Sequence, residues 1–245
     1  MSTNSNRFSY IIIGIVVVAA IALVIYAATR PVQSPTTPTT PTGDTSGVFD
    51  TQGALIIGNP NAPVILVEFA DFQCVACVAF WATIEPQLRS EYIDTGKVKI
   101  VFKPLTFIDS YDKNTPPLES FNSATATLCA AEQGEEALVA MHDAIYGAEA
   151  QEYQQGINSE NSGNLTDSFF TNVIEQNGFS VDLFTSCYNS DKYKKQLGLF
   201  MTQAQQAMPQ GVSTPTMFIG NQMIKGVADF SVYKKAIDGL FLQKE

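Results

Sequence analysis

Two apolar runs joined by an amphipathic segment, residues 64–102, constrain the fold of this chain more than any other feature. Residues 64–69 (VILVEF) are apolar except for one acid, which predicts a buried strand. Residues 75–92 have helical spacing of apolar side chains, and residues 98–102 predict a second buried strand. A strand, a helix and a second buried strand predict a right-handed parallel unit, and therefore an α/β fold.

The motif CVAC, residues 74–77, lies where the first of these strands ends and the helix begins. A helix N-terminus carries a partial positive charge and unpaired N–H groups, which stabilise a thiolate at Cys74 and lower its pKa. The spacing also lets the Cys77 sulfur reach Cys74, so that a mixed disulfide is resolved within the chain. Half of a zinc site and a purely structural disulfide are the alternatives, and the single histidine of the chain disfavours zinc.

The N-terminal part of the chain differs in composition from the rest. Residues 10–28 are 19 residues without a charge, close to the about 20 that a helix needs to cross a bilayer. We therefore expect a single transmembrane anchor in the lipid bilayer of the cell membrane, with residues 1–9 in the cytoplasm and the remainder outside. A cleaved signal peptide is the alternative. Residues 29–47 are rich in Pro and Thr and predict a disordered, solvated stalk.

Residues 48–245 are expected to form the folded part. Apolar residues make up 45% of the chain and charged residues 16%, which is enough for a core and excludes global disorder. The net charge of −10 disfavours nucleic-acid binding, because phosphate backbones would repel the chain.

A helical insertion is predicted over about residues 113–208, where no strand pattern is visible. Its helices are expected around residues 124–131, 137–145, 169–176, 181–188 and 194–207. Residues 216–219 and 222–225 flank Gly220 and Asn221, a pair typical of a hairpin turn, and a last helix is expected to run to residue 240.

Three segments resemble a known family. Residues 64–77 read VILVEFADFQCVAC, residues 211–220 read GVSTPTMFIG and residues 58–63 read GNPNAP. In this order they closely resemble the DsbA-like thiol–disulfide oxidoreductases of the thioredoxin superfamily, with a matching layout over about residues 50–245. The resemblance implies a thioredoxin-like fold with a helical insertion. It also implies that the Cys74–Cys77 disulfide is the redox group, with no separate cofactor and no metal.

The resemblance further implies roles for individual residues. Thr214 and Pro215 are expected to form a cis peptide packed against the CVAC motif, leaving backbone groups free to pair with an extended substrate; an ordinary trans proline is the alternative. Glu68 is similar to the buried acid of the family, which helps to move the proton of the deeper cysteine. The alternatives are a Glu68 turned outward at a strand edge or paired with Lys103.

The two remaining cysteines, Cys129 and Cys187, lie where some family members join the helical insertion by a second disulfide; two buried free thiols are the alternative. His142 is expected to be structural. The chain departs from the family between the cysteines, where Val75 and Ala76 replace a proline followed by an aromatic residue or histidine. This departure leaves the direction of redox catalysis less determined than redox activity itself.

The function implied by the resemblance is extracytoplasmic thiol–disulfide exchange that introduces disulfides into reduced secreted or surface proteins. A DsbB-like or VKOR-like membrane protein is the expected reoxidant, and the anchor would confine both proteins to one bilayer. A disulfide reductase or isomerase of the same fold is one alternative. A tethered binding domain with a structural CVAC disulfide is the other.

Overall fold

A computed structural model describes residues 37–110 and 118–242, all within the structural unit Thr36–Glu245. The predicted transmembrane anchor, the residues 1–9 predicted to be cytoplasmic and residues 29–36 of the predicted stalk lie outside this part. Among the described residues, no helix is both long and apolar enough to cross a membrane.

A five-stranded mixed sheet forms the centre of the described part, in the order β1-β3-β2-β4-β5. The pair β2 and β3 is parallel, as predicted, and the other neighbouring pairs are antiparallel. The sequence pattern does not predict β1, because three residues are too few to show an alternation. The strands are β1 (Leu55–Ile57), β2 (Val64–Ala70), β3 (Val98–Pro104), β4 (Thr216–Ile219) and β5 (Gln222–Lys225).

The helix that follows β2 is interrupted, although the sequence predicts one helix over residues 75–92. It consists of α1 (Val75–Thr83), α2 (Glu85–Leu88) and a π-helical turn (Arg89–Ile93). The interruption lies at Ile84, two residues before Pro86, because proline has no N–H to continue the hydrogen-bond ladder.

In the predicted helical insertion, the described residues between β3 and β4 form five α-helices, preceded by a short 3-10 turn (Ile108–Ser110). Side-chain caps begin two of these helices: the Thr166 hydroxyl accepts the N–H of Phe169, and the Ser180 hydroxyl accepts the N–H of Leu183. The helices are α3 (Glu119–Ala131), α4 (Glu135–Gln154), α5 (Asp167–Gln176), α6 (Val181–Tyr188) and α7 (Lys194–Ala207); α8 (Phe230–Leu242) follows the sheet.

A disulfide between Cys129 and Cys187 joins α3 to α6 within the insertion. The Cα atoms of the two residues are 5.7 Å apart, within the usual range for a disulfide. The bond closes a loop over 58 positions of the chain, so it restricts the unfolded chain more than a short loop would.

Within residues 37–47, Thr39 and Gly47 are held against the folded part rather than extending into solvent as a stalk. Thr39 forms an antiparallel bridge with Met223 of β5: its N–H donates to the Met223 carbonyl at 2.9 Å and its carbonyl accepts the Met223 N–H at 2.8 Å. The prediction of a disordered stalk is therefore wrong for these residues. The physical reason is that β5 is an edge strand, whose unpaired backbone groups pair with a neighbouring segment whatever its side chains.

Lys103 holds the end of this segment against β3. Its buried ammonium group donates hydrogen bonds to the carbonyl oxygens of Gly47 and Val48, at 3.0 and 2.8 Å, and to Gln203 Oε1 of α7 at 2.9 Å. Each of the three N–H groups of the Lys103 ammonium thus has a hydrogen-bond acceptor, as a buried cation requires.

We expect Lys103→Met to lower the thermal unfolding midpoint, because it leaves three acceptors without their donor. A buried polar group without a partner costs about 1–3 kcal/mol, so the loss should be at least of that order. Thermal unfolding followed by circular dichroism measures it. Lys97→Met, at an exposed position just before β3, is the matched control and should change stability by about 0.5 kcal/mol or less. Equal midpoints for the two variants would contradict this role of Lys103.

Candidate active site

The CVAC motif occupies the turn between β2 and α1. Cys74 is the residue immediately before α1, with φ −79° and ψ 116°, and its carbonyl accepts the N–H of Val78 at 3.0 Å. Its own N–H donates to the Asp71 carbonyl at 3.0 Å. The Cys74 sulfur therefore lies at the positive end of the helix dipole.

The two sulfurs of the motif have opposite environments, and both are free thiols. Cys74 is partly exposed, whereas Cys77 is fully buried. A hydrogen bond from the Cys77 thiol is the main cause that lowers the pKa of Cys74 to about 6; burial opposes it, and Thr214 and the backbone N–H groups of Ala76 and Cys77 add to it. Burial raises the pKa of Cys77 well above its ordinary value. The arrangement pairs one thiolate with one protonated thiol near neutral pH.

The Thr214–Pro215 peptide bond is cis and faces the motif. The Cys74 sulfur lies 3.5 Å from the Thr214 carbonyl oxygen. Pro215 is buried just before β4, and its carbonyl accepts the N–H of Gly226 at 2.7 Å. The backbone of Thr214 is thus held next to the more exposed sulfur.

Glu68 lies in the middle of β2 and is buried, with its Oε2 atom lacking a hydrogen-bond partner. Burial raises the pKa of Glu68 well above its ordinary value; the charge of Glu85 raises it further, and Arg89 lowers it in part. Neither alternative for Glu68 holds. It is not turned outward, and Lys103 pairs in register with Phe69, so the Lys103 and Glu68 side chains leave opposite faces of the sheet.

Asp71, which the sequence analysis did not single out, fixes the turn before Cys74. It is fully buried; Oδ1 accepts the N–H of Gln73 at 3.1 Å and the hydroxyl of Ser120 at 2.6 Å, and Oδ2 accepts the N–H of Ile108 at 3.2 Å. Burial raises the pKa of Asp71 to about 7, although these hydrogen bonds oppose the shift. The sequence signal that could have identified Asp71 is an acidic residue directly after a buried strand.

Gln73 makes a second connection to the insertion that the sequence analysis missed. Its Nε2 donates to Glu149 Oε1 of α4 at 3.1 Å, and its Oε1 accepts the N–H of Asn161. Asn161 has a positive φ of 51°, a conformation that asparagine tolerates. Burial raises the pKa of Glu149 to about 8. No sequence signal distinguishes these residues from ordinary polar surface residues.

Two groups of potential metal ligands occur among the described residues, and both lie outside the CVAC turn. In the first, the two cysteines are joined in a disulfide and offer no thiolate. In the second, the Arg89 guanidinium lies 2.6 Å from Glu85 and 3.1 Å from Asp143, where it neutralises the carboxylates that a cation would need. The groups are Cys129, Glu132 and Cys187, and Glu85, His142 and Asp143.

Comparisons with known proteins give a consistent result. A family model described as Thioredoxin matches residues 50–239. The probable disulfide bond formation protein D of Bacillus anthracis is 26% identical over 239 residues, which cover 97% of each chain. The crystal structure of oxidised BdbD from Bacillus subtilis is similar with a TM-score of 0.63 at 18% identity, over 84% of this chain and 98% of that one. Chlamydia trachomatis DsbA has a TM-score of 0.61 at 21% identity, over 78% and 92%.

We expect alkylation of Cys74 in the reduced protein to rise with pH around a midpoint near 6, because only the thiolate reacts and its pKa is lowered to about 6. Cys77 should stay unmodified, because it is buried. Timed alkylation with iodoacetamide, followed by peptide mass mapping, distinguishes modification of Cys74 from modification of Cys77. Cys77→Ala should raise the midpoint, since it removes the main hydrogen-bond donor. A wild-type midpoint near the ordinary value of 9.0 would contradict the assignment.

We expect Glu149→Gln to become progressively more stabilising as the pH rises from about 5 to about 8. The pKa of Glu149 is raised from 4.5 to about 8 in the folded protein, so the wild type loses stability over this interval, because the folded state keeps a proton that the unfolded chain has already lost. Glutamine keeps the acceptor for Gln73 and does not titrate. Thermal midpoints at several pH values measure the difference. Glu160→Gln, at an exposed position, is the control; a pH-independent difference for Glu149→Gln would contradict the shift.

Proposed function

Because the chain belongs to the thioredoxin family and is a DsbA-like thiol–disulfide oxidoreductase, we propose that it oxidises pairs of thiols in extracytoplasmic proteins through Cys74 and Cys77. The observation that carries this assignment is the contrast between the two sulfurs. Cys74 is partly exposed with its pKa lowered to about 6, and Cys77 is buried with its pKa raised.

The proposed cycle begins with the Cys74–Cys77 disulfide. A substrate thiolate attacks the Cys74 sulfur, a mixed disulfide forms, and Cys77 leaves with the electron pair and takes up a proton. A second substrate thiolate then attacks the substrate sulfur of the mixed disulfide and releases Cys74 as a thiolate. The substrate gains a disulfide, and its two electrons reduce the enzyme pair. The low pKa of Cys74 favours this last step, because a stable thiolate leaves readily.

Three further residues are proposed to assist the two cysteines. The backbone at Thr214, which faces the Cys74 sulfur at 3.5 Å, would pair with an extended substrate segment, and Pro215 would hold it there. Glu68 would exchange a proton with Cys77, since it is buried and its charge acts on the pKa of Cys77. The disulfide between Cys129 and Cys187 would have a structural role.

The direction of the reaction follows from the stability of the Cys74 thiolate. Stabilising the thiolate stabilises the reduced enzyme, and an enzyme with a stable reduced form is an oxidant of its substrates. This favours oxidation over the reductase and isomerase alternatives. The partial exposure of Cys74 also argues against a CVAC disulfide that serves only to hold the helix.

Turnover requires a partner that reoxidises the dithiol, as for DsbA-like oxidases in general. We propose a DsbB-like or VKOR-like membrane protein for this step. The apolar residues 10–28 would anchor the chain in the same bilayer as a single-pass membrane protein, with residues 48–245 outside the cytoplasm. Anchoring would raise the effective concentration of the two partners for each other.

We expect the full chain carrying Cys77→Ala to accumulate mixed disulfides with disulfide-containing secreted proteins through Cys74. The Cys74 thiolate can still attack a substrate disulfide and release one substrate thiolate, but no Cys77 remains to resolve the product. Non-reducing electrophoresis and mass mapping of the trapped cysteine measure the outcome. The double variant Cys74→Ala, Cys77→Ala is the matched control and should trap nothing. If the single variant also traps nothing, or if Cys74→Ala alone oxidises a dithiol peptide at the wild-type rate, the proposed division of roles is wrong.

A further inference from the structure

His142 lies on α4 and is fully buried. Its ring packs edge-on against the rings of Phe102 and Tyr146, with centroids 5.1 and 4.9 Å away. Nδ1 is 2.9 Å from Asp143 Oδ1, but Nε2 has no hydrogen-bond partner. A histidine that only fills the core would have both nitrogens paired, because an unpartnered buried polar atom destabilises the fold. The unpartnered Nε2 therefore indicates more than a packing role.

On one side, the contacts of His142 reach solvent through Asp143. The Asp143 side chain is 40% exposed and borders a surface cavity of about 290 Å³. Its Oδ1 also accepts hydrogen bonds from Trp81 Nε1 at 3.0 Å and from Arg89 at 3.1 Å. Burial raises the pKa of Asp143, but the hydrogen bond and charge of His142 and the charge of Arg89 hold this pKa below its ordinary value. Asp143 is thus an ionised acceptor that joins His142 to the surface.

On the other side, the groups next to His142 Nε2 lead towards Cys77. Glu68 Oε2 and Tyr146 Oη are buried and, like His142 Nε2, lack a hydrogen-bond partner. Burial is the main cause that raises the pKa of Tyr146, and the charges of Cys77, Glu68 and Glu85 raise it further. Tyr146 therefore lies within electrostatic reach of all three groups. Glu85 Oε2 in turn lies 4.0 Å from His142 Nε2. Glu68 pairs in register with Phe102, whose ring packs against His142, so Glu68 leaves the sheet on the face that His142 covers. The unpartnered atoms therefore belong to one buried group on this face.

We propose that His142, acting through Glu85 and Tyr146, exchanges the proton of Glu68 with solvent at Asp143, so that buried Cys77 gains and loses its proton in each redox cycle. This proposal rests on the proposed oxidase function and extends it to a route for protons. The 4.0 Å between His142 Nε2 and Glu85 Oε2 is longer than a hydrogen bond. A small rotation of the two side chains would close this gap.

The proton balance follows the sulfur chemistry. When a substrate thiolate displaces Cys77 from the disulfide, Cys77 leaves as a thiolate and takes the Glu68 proton. Glu68 is then an anion in an apolar strand, and it recovers a proton that has entered at Asp143 and passed through His142. On reoxidation Glu68 first loses its proton to solvent by the same route, and the resulting carboxylate then takes the proton of Cys77 as Cys77 attacks. The electrons stay on the sulfurs throughout.

Titratable groups face this route from every element packed around it. Arg89 is the cation among them, and its guanidinium lies 2.6 Å from Glu85 and 3.1 Å from Asp143. His142 has one ring nitrogen bonded to Asp143 and the other facing Glu85, so that a proton taken up at one nitrogen can be given up at the other. The groups are Glu68 of β2, Cys77 of α1, Glu85 of α2, Arg89 of the π-helical turn, Asp143 and Tyr146 of α4, and Tyr233 of α8.

The experiment uses the full chain in its reduced form and oxidised glutathione as the probe. In a first, concentration-dependent phase, Cys74 attacks the probe and forms a mixed disulfide; in a second, concentration-independent phase, Cys77 attacks Cys74 and releases glutathione. Rapid acid quenching and mass spectrometry follow both phases between pH 5 and 8. We expect His142→Phe to slow the second phase at least about fivefold at pH 7 and to change its pH profile, because general acid–base assistance is lost. The first phase should stay within about twofold of the wild type, because Cys74 lies outside the route.

Asp143→Asn should slow the second phase in the same direction, because it removes the ionised acceptor of His142. Trp81→Phe is the matched control. It removes another hydrogen bond to Asp143 but keeps a ring stacked on Tyr146, so its second phase should match the wild type.

A wild-type rate and pH profile in the second phase of His142→Phe would overturn the proposal, and so would equal slowing by Trp81→Phe. If His142→Phe does not fold by circular dichroism, Asp143→Asn, a substitution at a partly exposed side chain, decides by the same criterion. Absence of the first phase in the wild type itself would instead overturn the proposed redox function, and the proton route with it.

Discussion

Asp71 accepts hydrogen bonds from three segments that are far apart in the chain, and the position of the CVAC turn depends on them. Its donors are the N–H of Gln73 in the turn itself, the N–H of Ile108 after β3, and the hydroxyl of Ser120 in α3. A buried carboxylate that lost these donors would have to be protonated or exposed. The start of α1, the exit from β3 and the first helix of the insertion are therefore held in one arrangement.

The insertion also creates the difference between the two sulfurs. Tyr146 of α4 packs against Phe72 with ring centroids 4.9 Å apart, and Gln73 is bonded to Glu149 of the same helix. This covering removes Cys77 from water, which raises its pKa because burial disfavours a charge. Cys74 lies at the open side of the turn and keeps access to substrates. Packing of α4 over the start of α1 thus leaves an exposed thiolate at Cys74 and a buried thiol at Cys77, three residues apart in the chain.

The parts that sequence predicts well are those whose signals are local. The bounds of β4 and β5 follow from the turn residues Gly220 and Asn221, and the helices of the insertion follow from glycine and asparagine breaks between periodic segments. The bridge from Thr39 to Met223 could not be predicted, because it uses backbone groups and leaves no trace in composition. The bonds from Asp71 to Ser120 and from Gln73 to Glu149 join residues 49 and 76 positions apart, and no local pattern reports such pairs.

The residues between the cysteines determine how the Cys74 thiolate is stabilised. Val75 and Ala76 carry no side-chain donor, so the stabilisation must come from backbone N–H groups, Thr214 and the Cys77 thiol, of which the thiol is the main cause. That hydrogen bond exists only while Cys77 is protonated. The low pKa of Cys74 therefore depends on the burial that keeps the pKa of Cys77 high, and the two thiols share one proton over a wide pH range. In this chain the packing behind the motif takes over a role that a histidine between the cysteines would otherwise perform.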